Sequence, residues 1–168
     1  EEELNPEMGF ERLREIYKQK GYPDDWIDRR LQTIEVRKQL TDEWKSRGVK
    51  EGQEYAILTA EVAKGTFGLT PSEHSALKGL EKQNLRDHMS NFELIFTALS
   101  EEITRSVTIK EDANGFEENP EAAIESGKMA GEARENLEKR LGQKIVSAQN
   151  FLDLNNNQKA IAPKDDEK

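Results

Sequence analysis

The sequence predicts an all-α fold: one compact domain of seven or eight helices over residues 1–154, without a sheet, followed by a flexible polar tail at 155–168. Three observations predict it. Asn, Ser or Thr recurs just before runs that open with Pro or acidic residues, as at helix N-termini. Apolar residues inside those runs fall three and four apart, the spacing that lines one side of a helix. Alternating apolar and polar stretches, the mark of strands, are nearly absent.

Asn5-Pro6 offers a capping side chain and a residue preset for the first turn, so a first helix should run to Lys20 before Gly21, with Leu13, Ile16 and Tyr17 inward. Pro23-Asp24-Asp25 opens a long second helix whose acidic first turn suits the macrodipole, ending at Arg47-Gly48. At about 100° per residue, Ile27, Leu31 and Ile34 share one side, while Val36, Leu40 and Trp44 share nearly the opposite one. That helix must therefore be covered on different sides along its length. Its basic residues, Arg29, Arg30, Arg37, Lys38 and Lys45, are expected on solvated surface.

Residues 52–64 carry Tyr55, Leu58 and Val62 at helical spacing, and Gly65-Thr66-Phe67-Gly68 is expected to break the helix. Thr70, Pro71 and Glu73 form a capping box that opens a short helix to about Lys78, and another short helix is expected from Gln83 to Met89. Ser90-Asn91-Phe92-Glu93 is a second capping box, with Met89 and Leu94 placed as its hydrophobic staple. The strongest stripe follows: Phe92, Ile95, Phe96, Leu99, Ile103 and Val107, widened by Leu94, Ala98 and Ile109. This helix is expected to be the most buried element and to end at Asn114-Gly115. Asn119-Pro120-Glu121 should open the next, ending at Leu141-Gly142. Within it Gly127, Ala130, Gly131 and Ala133 leave a patch where another backbone can come close, either inside the fold or on a second molecule. Ser147 is expected to cap a last short helix containing Phe151 and Leu152.

The core is thin. Leu, Ile, Val and Phe supply 36 of 168 residues, just above the roughly 20% below which charged chains stay disordered. Such a chain folds only if nearly all its apolar side chains turn inward, and leaning on a protein partner or a second copy is expected. A net charge of −9 argues against nucleic acid on the bulk surface, since that affinity comes from neutralising phosphates with Lys and Arg. Residues 24–50, with seven basic and six acidic side chains, are the one region expected to tolerate phosphate. The absence of Cys excludes disulfides and thiol chemistry and fits a cytoplasmic location. No apolar run approaches the roughly 18 residues of a membrane span, and the acidic EEELNPEMGF is unlike a signal peptide. The opening Glu in place of Met is expected of a piece from a longer chain.

The motifs of nucleotide enzymes are missing: there is no Gly-Lys-Ser/Thr phosphate loop, no GxGxxG after a strand and no nucleophile elbow. His74 and His88 lie far apart in sequence and neither has a second His at helical spacing, so no metal or other cofactor is expected. Asp87-His88 is the one pair that could signal general-base chemistry. Neighbours on a helix diverge, however, and Ser90, the nearest nucleophile, is claimed by its capping box. The reading is a helix entrance built by Met89, Ser90, Glu93 and Leu94, in a protein that is not an enzyme. An auxiliary DNA contact through Lys78, Lys82 and Arg86 is the alternative.

The stretch GLEKQNLRDHMSNFELIFTAL, with KGYPDDWIDRRLQTIEVRKQLTDEWKSRGVKEGQEYAILTAEVAKGTFGLTPSE before it and GKMAGEARENLEKRLGQKIVSAQNFL after it, resembles the carboxy-terminal half of BRO-family proteins. These bacterial and prophage proteins are often called phage antirepressors and are related to DNA damage-inducible protein D. The pieces most similar to the latter are Gly79-Leu80-x-Lys82, Asp87-His88-Met89 and Glu93-Leu94. The resemblance spans roughly residues 5 to 152. It implies a regulator whose DNA contacts lie mainly in an amino-terminal domain not included here, and it brings no catalytic motif.

Overall fold

A computed structural model describes residues 6–151, excepting the side chains of residues 6–8. Asn5 and the tail expected at 155–168 lie outside that range. Six α-helices and one short 3-10 turn make up the described fold: α1 (Pro6–Gln19), α2 (Asp24–Ser46), α3 (Gln53–Phe67), α4 (Pro71–Leu77), the turn (Leu85–His88), α5 (Asn91–Glu111) and α6 (Gly115–Leu141). No strand occurs among the described residues. The all-α expectation therefore stands, with fewer α-helices than the seven or eight foreseen. The segment expected as Gln83 to Met89 is a single 3-10 turn begun by Asn84, whose side chain accepts from the Arg86 N–H. Ser147 is not a cap, its hydroxyl accepting weakly from the Gln149 N–H in irregular chain; of the last short helix expected around Phe151 and Leu152, Phe151 is helical and Leu152 lies outside the described residues.

α5 is the central strut, packed between α2 and α6, with α3 lying against both α5 and α6. The expected change of face along α2 is real. Its first half, with Trp26, Ile27 and Leu31, joins Tyr17, Tyr22, Met89 and Leu94 in one cluster. Its second half, with Leu40 and Trp44, joins Leu58, Val62 and Ala123 in another. Ile16, expected inward on α1, is 41% exposed. No helix among the described residues is long and apolar enough to cross a membrane.

α3 does not break at Gly65. It continues to Phe67 and stops at Gly68, which takes the left-handed conformation at φ 77°. Gly65 stays helical because it sits where α3 and α6 touch backbone to backbone. A Cβ added at Gly65 would lie 2.6 Å from the Gly127 carbonyl carbon, and one added at Gly127 would lie 2.6 Å from the Val62 oxygen. A Cβ at Gly131 would collide with the Gly65 oxygen. Gly127, Ala130 and Gly131 are thus buried in the fold's own α3–α6 contact, and of that patch Ala133 alone is exposed. Gly127, Ala130 and Gly131 serve the internal packing of α3 against α6.

α6 likewise starts earlier than expected, at Gly115 rather than Asn119, and carries Pro120 inside it. Asn119 is not a cap: its buried amide donates to the Gly115 and Ala113 carbonyls at 2.8 and 3.2 Å. Bonded on both, it joins the first turn to the rest of the helix. Ala is the better helix former than Gly by about 1 kcal/mol, yet Gly127→Ala is expected to destabilise by about 1–3 kcal/mol, because the Cβ meets backbone that cannot step aside. A thermal melt at or above that of the parent would show that the two helices do not approach this closely.

Candidate functional site

The capping box at Ser90 forms as the sequence suggests: the Glu93 N–H donates to the Ser90 hydroxyl at 3.2 Å, and the Ser90 N–H donates to Glu93 Oε1 at 2.9 Å. The staple residues Met89 and Leu94 are both buried in one core cluster. Glu93 does more than close a box. Its side chain is fully buried, His74 Nε2 lies 2.6 Å from Oε2, and Lys78 Nζ donates to Oε1 at 2.8 Å. His74 of α4 and Lys78, the residue that caps its C-terminal end one turn later, thus converge on the first turn of α5.

Lys78 is itself fully buried at the side chain. Its ammonium also donates to the Ser147 and Gln149 carbonyls, at 3.0 and 2.7 Å. All three of its protons are therefore used. The chain after α6 is tied down at further points: His88 Nδ1 lies 2.7 Å from Asn150 Oδ1, the Ile145 N–H donates to Glu138 Oε2, and Phe151 stacks on Trp26. Burial alone would raise the Glu93 carboxyl. The hydrogen bond from His74, the charge and hydrogen bond of Lys78 and the Ser90 N–H outweigh it and hold Glu93 below the usual carboxylate range.

Asp87 and His88 diverge, as neighbours should. Asp87 Oδ1 accepts from the Tyr17 hydroxyl at 2.7 Å and from Arg30 Nε at 2.9 Å, and its carbonyl accepts from the Tyr22 hydroxyl at 2.6 Å. His88 turns to Asn150, so the pair lacks the Asp–His bond that would orient an imidazole for general-base work. Tyr17, pushed up to about 12 by burial and then by the hydrogen bond to Asp87, stays a neutral donor. Chemically, the arrangement fixes α1, α2, α4 and the chain after α6 against the entrance of α5. Among the described residues no three His, Asp or Glu side chains are grouped to hold a metal.

The candidate nucleic-acid contacts are not a cationic row. Lys78 is buried, and Arg86 is clamped on Glu101 by both terminal nitrogens at 3.0 and 2.7 Å. Lys82 alone remains exposed. Arg30, placed on solvated surface by composition alone, is 6% exposed because Asp87 and Thr33 draw it inward. The sequence reading missed His74 and Lys78 as partners of Glu93. Their four-residue spacing on a short helix, beside a capping glutamate, was the available signal. No family model matches this chain, and no curated protein matches it.

Because the folded-state carboxyl of Glu93 is depressed, its contribution is complete above the ordinary value of about 4.3 and is lost as pH falls below that. Glu93→Gln at neutral pH leaves the buried Lys78 without its counter-charge and is expected to cost about 3–5 kcal/mol. The melting difference between parent and variant should shrink on going from pH 7 to pH 3. A pH-independent difference would mean that Glu93 is not ionised in the fold. Ser90→Ala, which removes the cap alone, is expected to cost about 1 kcal/mol; a melt like that of the parent would sink the capping assignment.

Proposed function

We propose that this chain is a non-catalytic interaction and assembly domain of a cytoplasmic, DNA-associated regulator of antirepressor or DNA-damage-response type, and that it assembles by pairing α5 with α5 of a second copy. The observation that carries the reading is the orientation of α5. Its strongest apolar stripe, expected to be the core of the protein, is divided: Phe96, Leu94 and Ala98 are buried, whereas Phe92, Ile95 and Leu99 turn outward at 38%, 39% and 41% exposed. The inward side is Glu93, Leu94, Phe96, Thr97, Ala98, Ser100, Glu101, Thr104 and Thr108. Scattered exposed leucines need no explanation, but consecutive large residues along one helix face mark a contact surface.

A second copy fits that face through its symmetry. Positions 92, 95, 99, 103, 107 and 110 are spaced identically from either end. An antiparallel copy sets Leu99 against Ile103, Ile95 against Val107, and the Lys110 ammonium against the Phe92 ring. Residues 95, 99, 103 and 107 form a ridge four residues apart, the kind that interdigitates with its own copy at a crossing of about −50°. Covering the exposed part of each of these large side chains is worth roughly 1 kcal/mol, against an association cost of about 4–15 kcal/mol. The pairing is therefore weak, roughly micromolar to millimolar. The resemblance to BRO-type proteins supports the regulatory context, and its quoted pieces Asp87-His88-Met89 and Glu93-Leu94 fall at the entrance to α5.

In sedimentation equilibrium the average mass should rise between micromolar and millimolar chain. Leu99→Glu should stay monomeric with an unchanged melting temperature, since the side chain already faces solvent. A monomer at the highest concentration would overturn assembly through α5, and an equal rise in the variant would move the interface elsewhere.

A further inference from the structure

On the buried side of α5, beside Glu101, a groove opens between α2, α3 and the 3-10 turn. Its walls hold four basic side chains, Arg30, Arg37, Lys38 and Arg86, with Thr59 and Asn84 among them and no Asp or Glu. That is unusual in a chain with 34 acidic and 25 basic residues. Three carboxylates serve the four cations: Asp87 takes Arg30, Asp42 takes Lys38, and the buried Glu101 is shared by Arg37 and Arg86. One positive charge is left in excess. Arg37 gives Glu101 a single nitrogen, at 3.1 Å, and lies 5.5 Å from the Trp44 ring, so its guanidinium is held in place with donors to spare. Burial lowers its hold on its proton, Glu101 opposes that, and the neighbouring Arg86 adds to it.

Thr59, Asn84 and Arg86 also wall an inner cavity of about 150 Å³, lined by Val62, Phe67 and Met89 on its apolar side and by His74, Ser100 and the arginine-paired Glu101 on its polar side. An apolar cavity of about 150 Å³ is large enough to take up one benzene molecule. Cation and cavity thus meet at shared residues, the usual form of a small-molecule site: an apolar pocket with a few converging polar groups.

We propose that groove and cavity together bind a small oxyanion that carries an apolar group about the size of one aromatic ring. Arg37 and Lys38 hold the anion, Arg86, its fork taken by Glu101, adds only its charge, and the ring sits among Val62, Phe67 and Met89. Arginine suits this role because its planar fork matches carboxylate and phosphate oxygens. The site does not depend on the outward face of α5.

Phenyl phosphate, benzoate, inorganic phosphate and phenol, each titrated into the chain and followed by amide chemical shifts, test the proposal. Phenyl phosphate or benzoate should bind at least tenfold more tightly than inorganic phosphate or phenol, with shifts at Thr59, Val62, Phe67 and Asn84. Whichever binds more tightly fixes the anion as phosphate or carboxylate. Lys38→Gln, at an exposed position, should weaken both ring-bearing anions several-fold while leaving the melting temperature unchanged. Ala63→Leu, which fills the cavity, should bring phenyl phosphate down to the affinity of inorganic phosphate. The proposal is overturned if the ring-bearing anions bind no better than phosphate, if the shifts fall elsewhere, or if Lys38→Gln leaves their affinity as it was.

Discussion

The structure depends on one buried carboxylate. Glu93 is fully enclosed and accepts from the Ser90 N–H, Lys78 and the His74 ring. A lone carboxylate inside a protein would be neutralised or expelled; this one persists because each oxygen is met by a donor and one donor is a full charge. The same lysine reaches two carbonyls of the chain beyond α6. One ion pair therefore decides where α4 sits, where α5 begins and where the chain after α6 lies. Removing any member strands the others, which is why the arrangement constrains so much structure for so few atoms.

α5 shows how a thin core is managed. Its buried side is largely hydroxyl and carboxylate: Thr97 and Thr104 donate to carbonyls four residues earlier and Ser100 to one three earlier. Those bonds satisfy the hydroxyls inside the helix itself, so small polar residues can be buried without partners from neighbouring helices. Their small volume lets α2, α3 and α6 come close around α5. The apolar surface needed elsewhere is supplied by aromatic stacking of Tyr22, Trp26 and Phe151, and by Trp44 beside Tyr55. A helix that buries this much polar surface leaves part of its apolar stripe outward: Phe92, Ile95 and Leu99, while Leu94, Phe96 and Ala98 stay inside.

This also explains what could be read in advance. Capping boxes at Thr70 and Ser90 are local chemistry, decided within four residues, and both form as the sequence states. The change of face along α2 is geometry, fixed by spacing. The inside of α5 was legible only in part: Leu94, Phe96 and Ala98 are inward as their spacing suggests, but the assumption that apolar means inward fails at Phe92, Ile95 and Leu99. Gly65 and Asn119 failed for the same reason at smaller scale. Each resembles a helix end locally, and each is overruled by a partner distant in sequence or hidden from solvent: Gly127 for the first, the Ala113 and Gly115 carbonyls for the second. The cationic residues were misplaced because composition counts charges and cannot pair them.

Pairing is what separates the two surfaces of α5. Glu101 on its buried side draws Arg37 and Arg86 together, and two guanidiniums on one carboxylate leave that side of the helix positive despite a net charge of −9. On the opposite side, Phe92, Ile95 and Leu99 remain 38%, 39% and 41% exposed. The polar interior fixes the helix in one orientation, since turning it to bury the stripe would pull Glu93 from Lys78 and Glu101 from both arginines. Breaking buried pairs of this kind costs several kcal/mol each, more than covering three partly exposed side chains returns. The outward stripe is thus maintained by the electrostatics of the inward face, and the two faces follow from a single constraint.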